Sequence, residues 1–590
     1  MRNPNERGSA LVLVMFVALL LTILGLAVLG ATMGGAQRTE TRENDVQSLH
    51  LAQKGLDEAV AYIQTKLDGR KDIDPDHMED EIKNIVNEVS TKIVGVSNDV
   101  TELSGAGFTI KSITYEKQDK QKYYVDIEAQ ATVNGVKRQL KQKIVIDTYP
   151  DFLKYAFGSE GVLTLNGAPG FHGNIYAGEK LVISDVAKYK YKGPGLLTKQ
   201  TQYPRVGLFS GGGSIVGVTE KVSEVHVQSL QTIEYSGFVG SGVVSSNNAT
   251  TILPKILGVA KEQVLIKPYK KFIQINVLES FIDKVTEAIG TGNRDRVKDA
   301  VDKNELGDYL KNKMTNLPDS NLPNKPVLPD KPTEAEEDDY NLKYSQYLDN
   351  LKNYKIRQNL LLKDRTTSAI YYGDLLIDGI DKQQLTFTAG SKSGNDIDKP
   401  KWIIVKGNLE INNYSSDQNN FLPIQANIIV TGSVTIKGRV AFNSTMYVLG
   451  ETVVEDAVIK GLNDKELVLI SKGAVLINRI DAFTDKAEEM KAFFYTDSNA
   501  ELYGVGSIFW LNGGFFAKGN LTVNAVLGQV QPLSSGVGFE FRDQDKVLDS
   551  NLFQRFQVKY NQEVFTHQQS SLPRVQQVNV TVGPLELVSR

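Results

Sequence analysis

The sequence predicts a mainly β protein behind a long N-terminal helix. In chain order it reads as a transmembrane and amphipathic α-helix, a small α+β region with an antiparallel meander, and a parallel β-solenoid with a helical insertion. Three observations carry this reading. Nothing between Arg7 and Arg38 is charged. Residues 107–148 alternate apolar and polar. From Gly161 onward, similar six-residue segments recur.

The first element is the most informative. Ala10 to Ala36 is about 27 residues, roughly 40 Å as a helix. A bilayer's hydrocarbon core is roughly 30 Å thick. The apolar part of a secretory signal is usually only about 7–15 residues. The length therefore favours a retained span, although small Gly34 and Ala36 leave a cut after Ala36 open. Arg2 and Arg7 precede the span, which orients the N-terminus to the cytoplasm and exports the chain beyond Arg38. The next stretch has no proline. It keeps apolar residues at helical spacing through Val46, Leu49, Ala52, Leu56, Ala59, Val60, Ile63 and Leu67. The helix is expected to leave the membrane and continue as an amphipathic rod.

A short basic leader ending in Gly8, then an apolar helix continuing as an amphipathic one, resembles the N-terminus of type IV pilins. The likeness is nearest to PilX-like minor pilins and covers roughly residues 1–67. The resemblance implies cleavage by a prepilin peptidase between Gly8 and Ser9. It implies a helix stored in the cytoplasmic membrane and later packed in a filament core. It implies other pilins and the pilus assembly machinery as partners. Most major pilins carry Glu at the fifth position after the cut, where it meets a neighbour's amino terminus. Counting from Ser9, that position is Leu13. The departure puts a repeating core role in doubt and favours a minor or tip subunit.

Behind the rod, "DIDPDHMEDEIKNIVNEVSTKI" reads as a second helix with an acidic start, which suits the helix dipole. "TVNGVKRQLKQKIVID" places Asn134-Gly135 between two alternating runs, a hairpin signal. With the preceding runs it makes a headgroup-like meander. The expected division is a leader 1–8, a helix 9–67 and a small α+β region 68–150. A first solenoid part 151–270, a helical insertion 271–367, a main solenoid 368–530 and a C-terminal tail 531–590 come after it.

The recurring segments are "GVLTLN" at Gly161, "GDLLID" at Gly373, "GNLEIN" at Gly407, "GSVTIK" at Gly432, "GAVLIN" at Gly473 and "GNLTVN" at Gly519. Each gives one inward apolar stripe per short strand, with turn residues at both ends. Repeated short strands of this kind point to stacked coils, with Leu409, Ile411, Val434 and Ile436 in the core. A β-sandwich is the alternative that alternation alone does not separate. Between the two repeat-bearing regions, charged helical stretches flank "PDSNLPNKPVLPDKP", whose prolines favour an extended connector. This insertion is expected to be a solvated arm, removable without unfolding the solenoid.

The chemistry is sparse. The chain has 590 residues, 66 basic and 70 acidic, so no global basic surface for nucleic acid is indicated. Without cysteine there are no disulfides, thiolate catalysis or cysteine metal sites. The five histidines show no paired metal spacing, and "GGGS" at Gly211–Ser214 lacks the rest of a phosphate loop. The nearby carboxylates Asp481 and Asp485 read as solvated loop residues. The aromatic run around Trp510 reads mainly as core filling, with sugar contact as the alternative. No cofactor or metal is expected. The leading expectation is a non-enzymatic filament subunit with its solenoid outside the membrane. The alternative is a membrane-anchored surface β-helix that binds or cleaves polysaccharide, with a glycan or neighbouring-cell ligand as partner.

Overall fold

A computed structural model of the chain describes residues 6–67, 78–96, 106–119, 122–147, 150–190, 195–207, 209–210, 220–267, 275–290, 293–317, 324–330, 337–379, 385–386, 400–413, 419–478, 488–534, 538–542, 554–567, 571–573 and 578–589. The fold class is as the sequence predicts: a long apolar helix, then mostly β structure with extensive parallel sheets and some helices. The chain divides into two compact units. One holds residues 1–149 and 575–590, the other residues 150–574.

In the first unit, helix α1 spans Glu6–Leu67 and helix α2 spans Met78–Val96. Strands β1 (Ala106–Asp119), β2 (Lys122–Val133) and β3 (Val136–Asp147) form an antiparallel meander. Asn134 and Gly135 take positive φ of 47° and 84°, as a tight primed hairpin turn requires. β2 buries alternate residues from Tyr123 to Val133. The C-terminal half of α1 packs on that face through Ala52, Leu56, Ala59, Ile63 and Leu67.

A fourth strand closes this sheet, and it comes from the other end of the chain. Asn579–Ser589 pairs antiparallel with β3, with Asn579 opposite Asp147. Within residues 531–590, which the sequence reading assigns to a C-terminal tail, Asn579–Ser589 form this strand, and Gly583-Pro584 interrupts its alternation. The ladder shifts register there, and Gln142 Nε2 donates to the Gly583 carbonyl at 3.0 Å. In sequence, the whole second unit is thus an insertion between the third and fourth strands of a small sheet.

The second unit is a two-sheet stack of parallel strands around one apolar core. All six recurring segments lie in one of the two sheets. Their leading glycines stack at one turn of the coil. A Cβ on Gly407 would lie 2.5 Å from the Gly373 carbonyl oxygen, and one on Gly432 2.5 Å from that of Gly407. Close approach between coils therefore demands glycine there. The residue after the glycine completes the joint. Asp374 Oδ1 accepts from Asn408 N at 2.8 Å, and Asn408 Oδ1 accepts from Ser433 N at 2.9 Å.

The order of coils is not the order of the chain. The facing sheet runs from Val264–Ile266 through Val225–Val227, Ile175–Ala177 and Phe157–Ser159 to Phe509–Ala517. It then continues backward through the sequence to Ala369–Tyr372 and Thr315–Leu317. The chain enters mid-stack, builds to one end, crosses to the other end, and winds back until Phe515 pairs with Phe157. At about 4.8 Å per strand, the crossing covers roughly 50 Å. The insertion supplies that crossing, and its strand Thr315–Leu317 pairs with Ala369–Tyr372, so part of the arm expected to be solvated is built into the stack. Its helix Val277–Ile289 also buries Phe281, Ile282 and Val285. Glu287 Oε1 lies 3.5 Å from Trp402 Nε1, and Lys284 sits over the Trp402 ring at 5.9 Å. At the first-built end, Ala249, Leu253 and Ile256 of the helix Ala249–Ile256 cap the core, as terminal repeats require.

Candidate functional site: an apolar half-helix continuous with a packed one

From Leu11 to Met33, α1 leaves its large apolar side chains bare, and none of its most apolar 18-residue window is buried. That window has a mean hydropathy of 3.1. It is long and apolar enough to cross a membrane. Its few polar groups are satisfied internally. Thr22 Oγ1 donates to the Ala18 carbonyl and Thr32 Oγ1 to that of Val28, both at 2.7 Å. A helix entering hydrocarbon must satisfy its polar groups in this way. Leu13 is 67% exposed, so the expected carboxylate position presents an isobutyl group. Gly8 and Ser9 fall within the helix, and their side chains lie outside the described residues.

The helix meets its sheet without a break. Asn44 and Ser48 are the first polar side chains to be buried. Asn134 Nδ2 of the hairpin turn donates to Asn44 Oδ1 at 3.1 Å, and Arg138 pairs with Asp45. Further along, a Cβ on Gly55 would lie 2.5 Å from the Phe108 ring, so glycine lets the sheet approach the helix. At its end, Lys66 Nζ pairs with Glu88 of α2 at 2.8 Å, and that contact raises the lysine pKa. Both halves of α1 are visible in the sequence. Asn44, Gly55 and Phe108 are not, because their partners are distant in the chain.

Within the solenoid, the aromatic run is a structural element. Phe509, Leu511 and Phe515 fill the core, and Trp510 Nε1 donates to the Gln554 carbonyl at 2.9 Å. Two buried ionisable groups stand out. His226 lies 2.9 Å from Tyr155 Oη and 2.8 Å from Glu224, and burial pushes its pKa down against the pull of Glu224. Burial pushes the Glu466 carboxyl up, opposed by His567 at 3.1 Å. Asp481, Asp485 and Gly211–Ser214 lie outside the described residues, as do the residues preceding α2. Among the described residues no group of three histidines or carboxylates could hold a metal.

No protein-family profile matches this chain, and no curated protein does. Among solved structures it matches the competence-associated pilin ComZ from Thermus thermophilus. The identity is 12%, covering 92% of this chain and 98% of that one, with a TM-score of 0.24. At that TM-score the likeness carries no argument. The functional reading rests on the helix and its sheet.

Proposed function

We propose that this chain is a non-enzymatic minor pilin-like subunit of a type IV pilus or related secretion filament, with its solenoid displayed outside the membrane. One observation carries the reading. A single 62-residue helix is charge-free from Gly8 to Gln37, leaves its large apolar side chains bare from Leu11 to Met33, and packs on a four-stranded antiparallel sheet in its second half. Such a helix can reside in a membrane as a monomer and exchange lipid for neighbouring helices on assembly. Partners under this reading are other pilins, the assembly machinery, the cytoplasmic membrane, and a prepilin peptidase cutting between Gly8 and Ser9. Leu13 supports an end position. A subunit with nothing ahead of it has no amine to pair, and a carboxylate there would be a buried unpaired charge. A solenoid unit of residues 150–574 adds bulk that a thin filament would not accommodate at every position.

Mass spectrometry of the mature N-terminus tests this. A start at Ser9, abolished by Gly8→Leu, is expected, together with sparse or end-localised immunogold label on purified filaments. A start at Met1 or Gln37, or label along the whole shaft, overturns it. Absence from filaments moves the protein to the surface-anchored class.

A further inference from the structure

We infer that two copies of this chain pair through a proline ridge and a tyrosine strip, residues 324–330 of each lying along the helix Glu337–Leu362 of the other. Pro323, Pro326, Pro329 and Pro332 recur at every third residue. A polyproline II helix has three residues per turn, so this spacing puts its prolines on one ridge, about 9.3 Å apart. In the described part of the segment, Val327 is 85% exposed and Leu328 56%, and Pro329 is exposed beside them.

The helix carries a surface of matching step. Its C-terminal half is held on the stack: Tyr354 and Gln358 are buried, Gln358 Nε2 donates to Tyr371 Oη at 2.8 Å, and Lys355 pairs with Asp378. Among the described residues, none from 337 to 353 is buried. Three tyrosines form a strip there. The Tyr340 and Tyr344 rings stack at 5.8 Å and 19°, and Tyr344 and Tyr347 come next at 6.1 Å. Tyr340 and Tyr347 are two turns apart, about 10.5 Å along the axis. That is within about 1 Å of the step between prolines.

Proline ridges dock on aromatic-lined surfaces, and a preformed polyproline II segment loses little entropy in doing so. The chain carries both halves of such a contact and leaves Tyr344, Val327, Leu328 and Pro329 exposed. A second copy therefore supplies what each half lacks. Charge does not oppose the pairing. Residues 324–330 hold one lysine and one aspartate, and Lys343 beside the strip is already paired with Asp339 at 2.6 Å. A two-fold axis makes the contact twice and closes the pair. The doubled contact falls at the low end of specific interfaces, about 1,200 Å², which suits a weak dimer. The pairing does not depend on the filament reading.

Sedimentation of the full chain in detergent micelles reads the pairing. A concentration-dependent dimer in the micromolar range is expected. Tyr344→Ser/Tyr347→Ser and Pro326→Ser/Pro329→Ser should each weaken it by about tenfold or more. Tyr344→Phe/Tyr347→Phe should retain it. A mixture of the two serine variants regains one of the two contacts, so it should associate more tightly than either variant alone. A dimer that neither serine variant weakens belongs to another surface and overturns the inference. A mixture no tighter than its components does the same. So does a monomer at every concentration, including one whose tyrosine fluorescence responds to the proline variant, because the ridge would then lie on its own helix.

Discussion

Tyr560 Oη donates to the Leu153 carbonyl at 2.7 Å, tying the segment that leaves the solenoid to the one that enters it. The strands beside them share a neighbour. Phe515 of Phe509–Ala517 pairs with Phe157 of the entering strand, and Phe509 of the same strand pairs with Phe556 of the leaving one. A domain whose ends meet can be inserted in a loop with little effect on its host. In the small sheet, Asp147 and Asn579 are directly opposed, as hairpin ends are.

Deleting residues 150–574 should therefore leave a folded small unit. Residues 148–149 and 575–578 would remain as a connection of about six residues, within the ordinary range for a loop. A cooperative melt and an intact helix-plus-sheet circular dichroism spectrum are expected. A molten or aggregated product would mean the sheet needs its insertion.

The opposite outcome is expected for the crossing inside the solenoid. Replacing residues 268–368 with ten Gly/Ser residues gives at most about 35 Å of chain. The crossing is roughly 50 Å along the stack, so the two ends cannot be joined without dismantling coils. The variant should lose most of its β signal on mild heating. A linker of about thirty residues should restore assembly, though with Trp402 uncovered. Full stability with the ten-residue linker would show that the coil order is wrong.

The contrast between the two sheets explains what the sequence revealed. Leu409–Asn413 and Leu422–Gln425 bury alternate residues, so their apolar stripe is visible in the sequence. Ser444–Val448 and Leu467–Ser471 are buried throughout. Their outer face is covered by other segments: Tyr447 Oη donates to the Ser571 carbonyl at 2.9 Å, and Phe152 lies 4.6 Å from the Tyr495 ring. Strands covered on both faces read as plain apolar runs without period. The coil order was invisible for another reason. The pairing of Phe157 with Phe515 joins residues with no local signal between them. At the candidate site, the bare half of α1 was legible because composition alone defines a membrane span. The closing strand was not, because its bulge breaks the pattern.

Ile436 tests the core directly. It is fully buried and stacks between Ile411 and Val454 of adjacent coils. Ile436→Asp would place a carboxylate there without a partner and should destabilise the solenoid by more than about 3 kcal/mol. Ile436→Val removes one methylene and should cost about 0.5–1.5 kcal/mol. Urea melts of the two variants should separate clearly. Equal midpoints would place the side chain outside the core.

Glu466 links the solenoid to pH. Its side chain is fully buried, and it faces His567 at 3.1 Å, Lys491 at 3.9 Å, and the carboxylate of Glu563 through that lysine. Burial is the largest influence and raises its pKa above the ordinary 4.5. In the window just above that value, the native state keeps a proton that the unfolded chain has released. Stability then falls as pH rises, because the unfolded state binds fewer protons. Glu466→Gln removes this titration while keeping the shape. The stability of the native protein relative to the variant should therefore be highest near pH 4.5 and decline towards neutrality. Thermal melts of both proteins across that range read the difference. A difference that grows with pH would mean that His567 and Lys491 outweigh the cost of burial, and that the carboxylate is held by its partners.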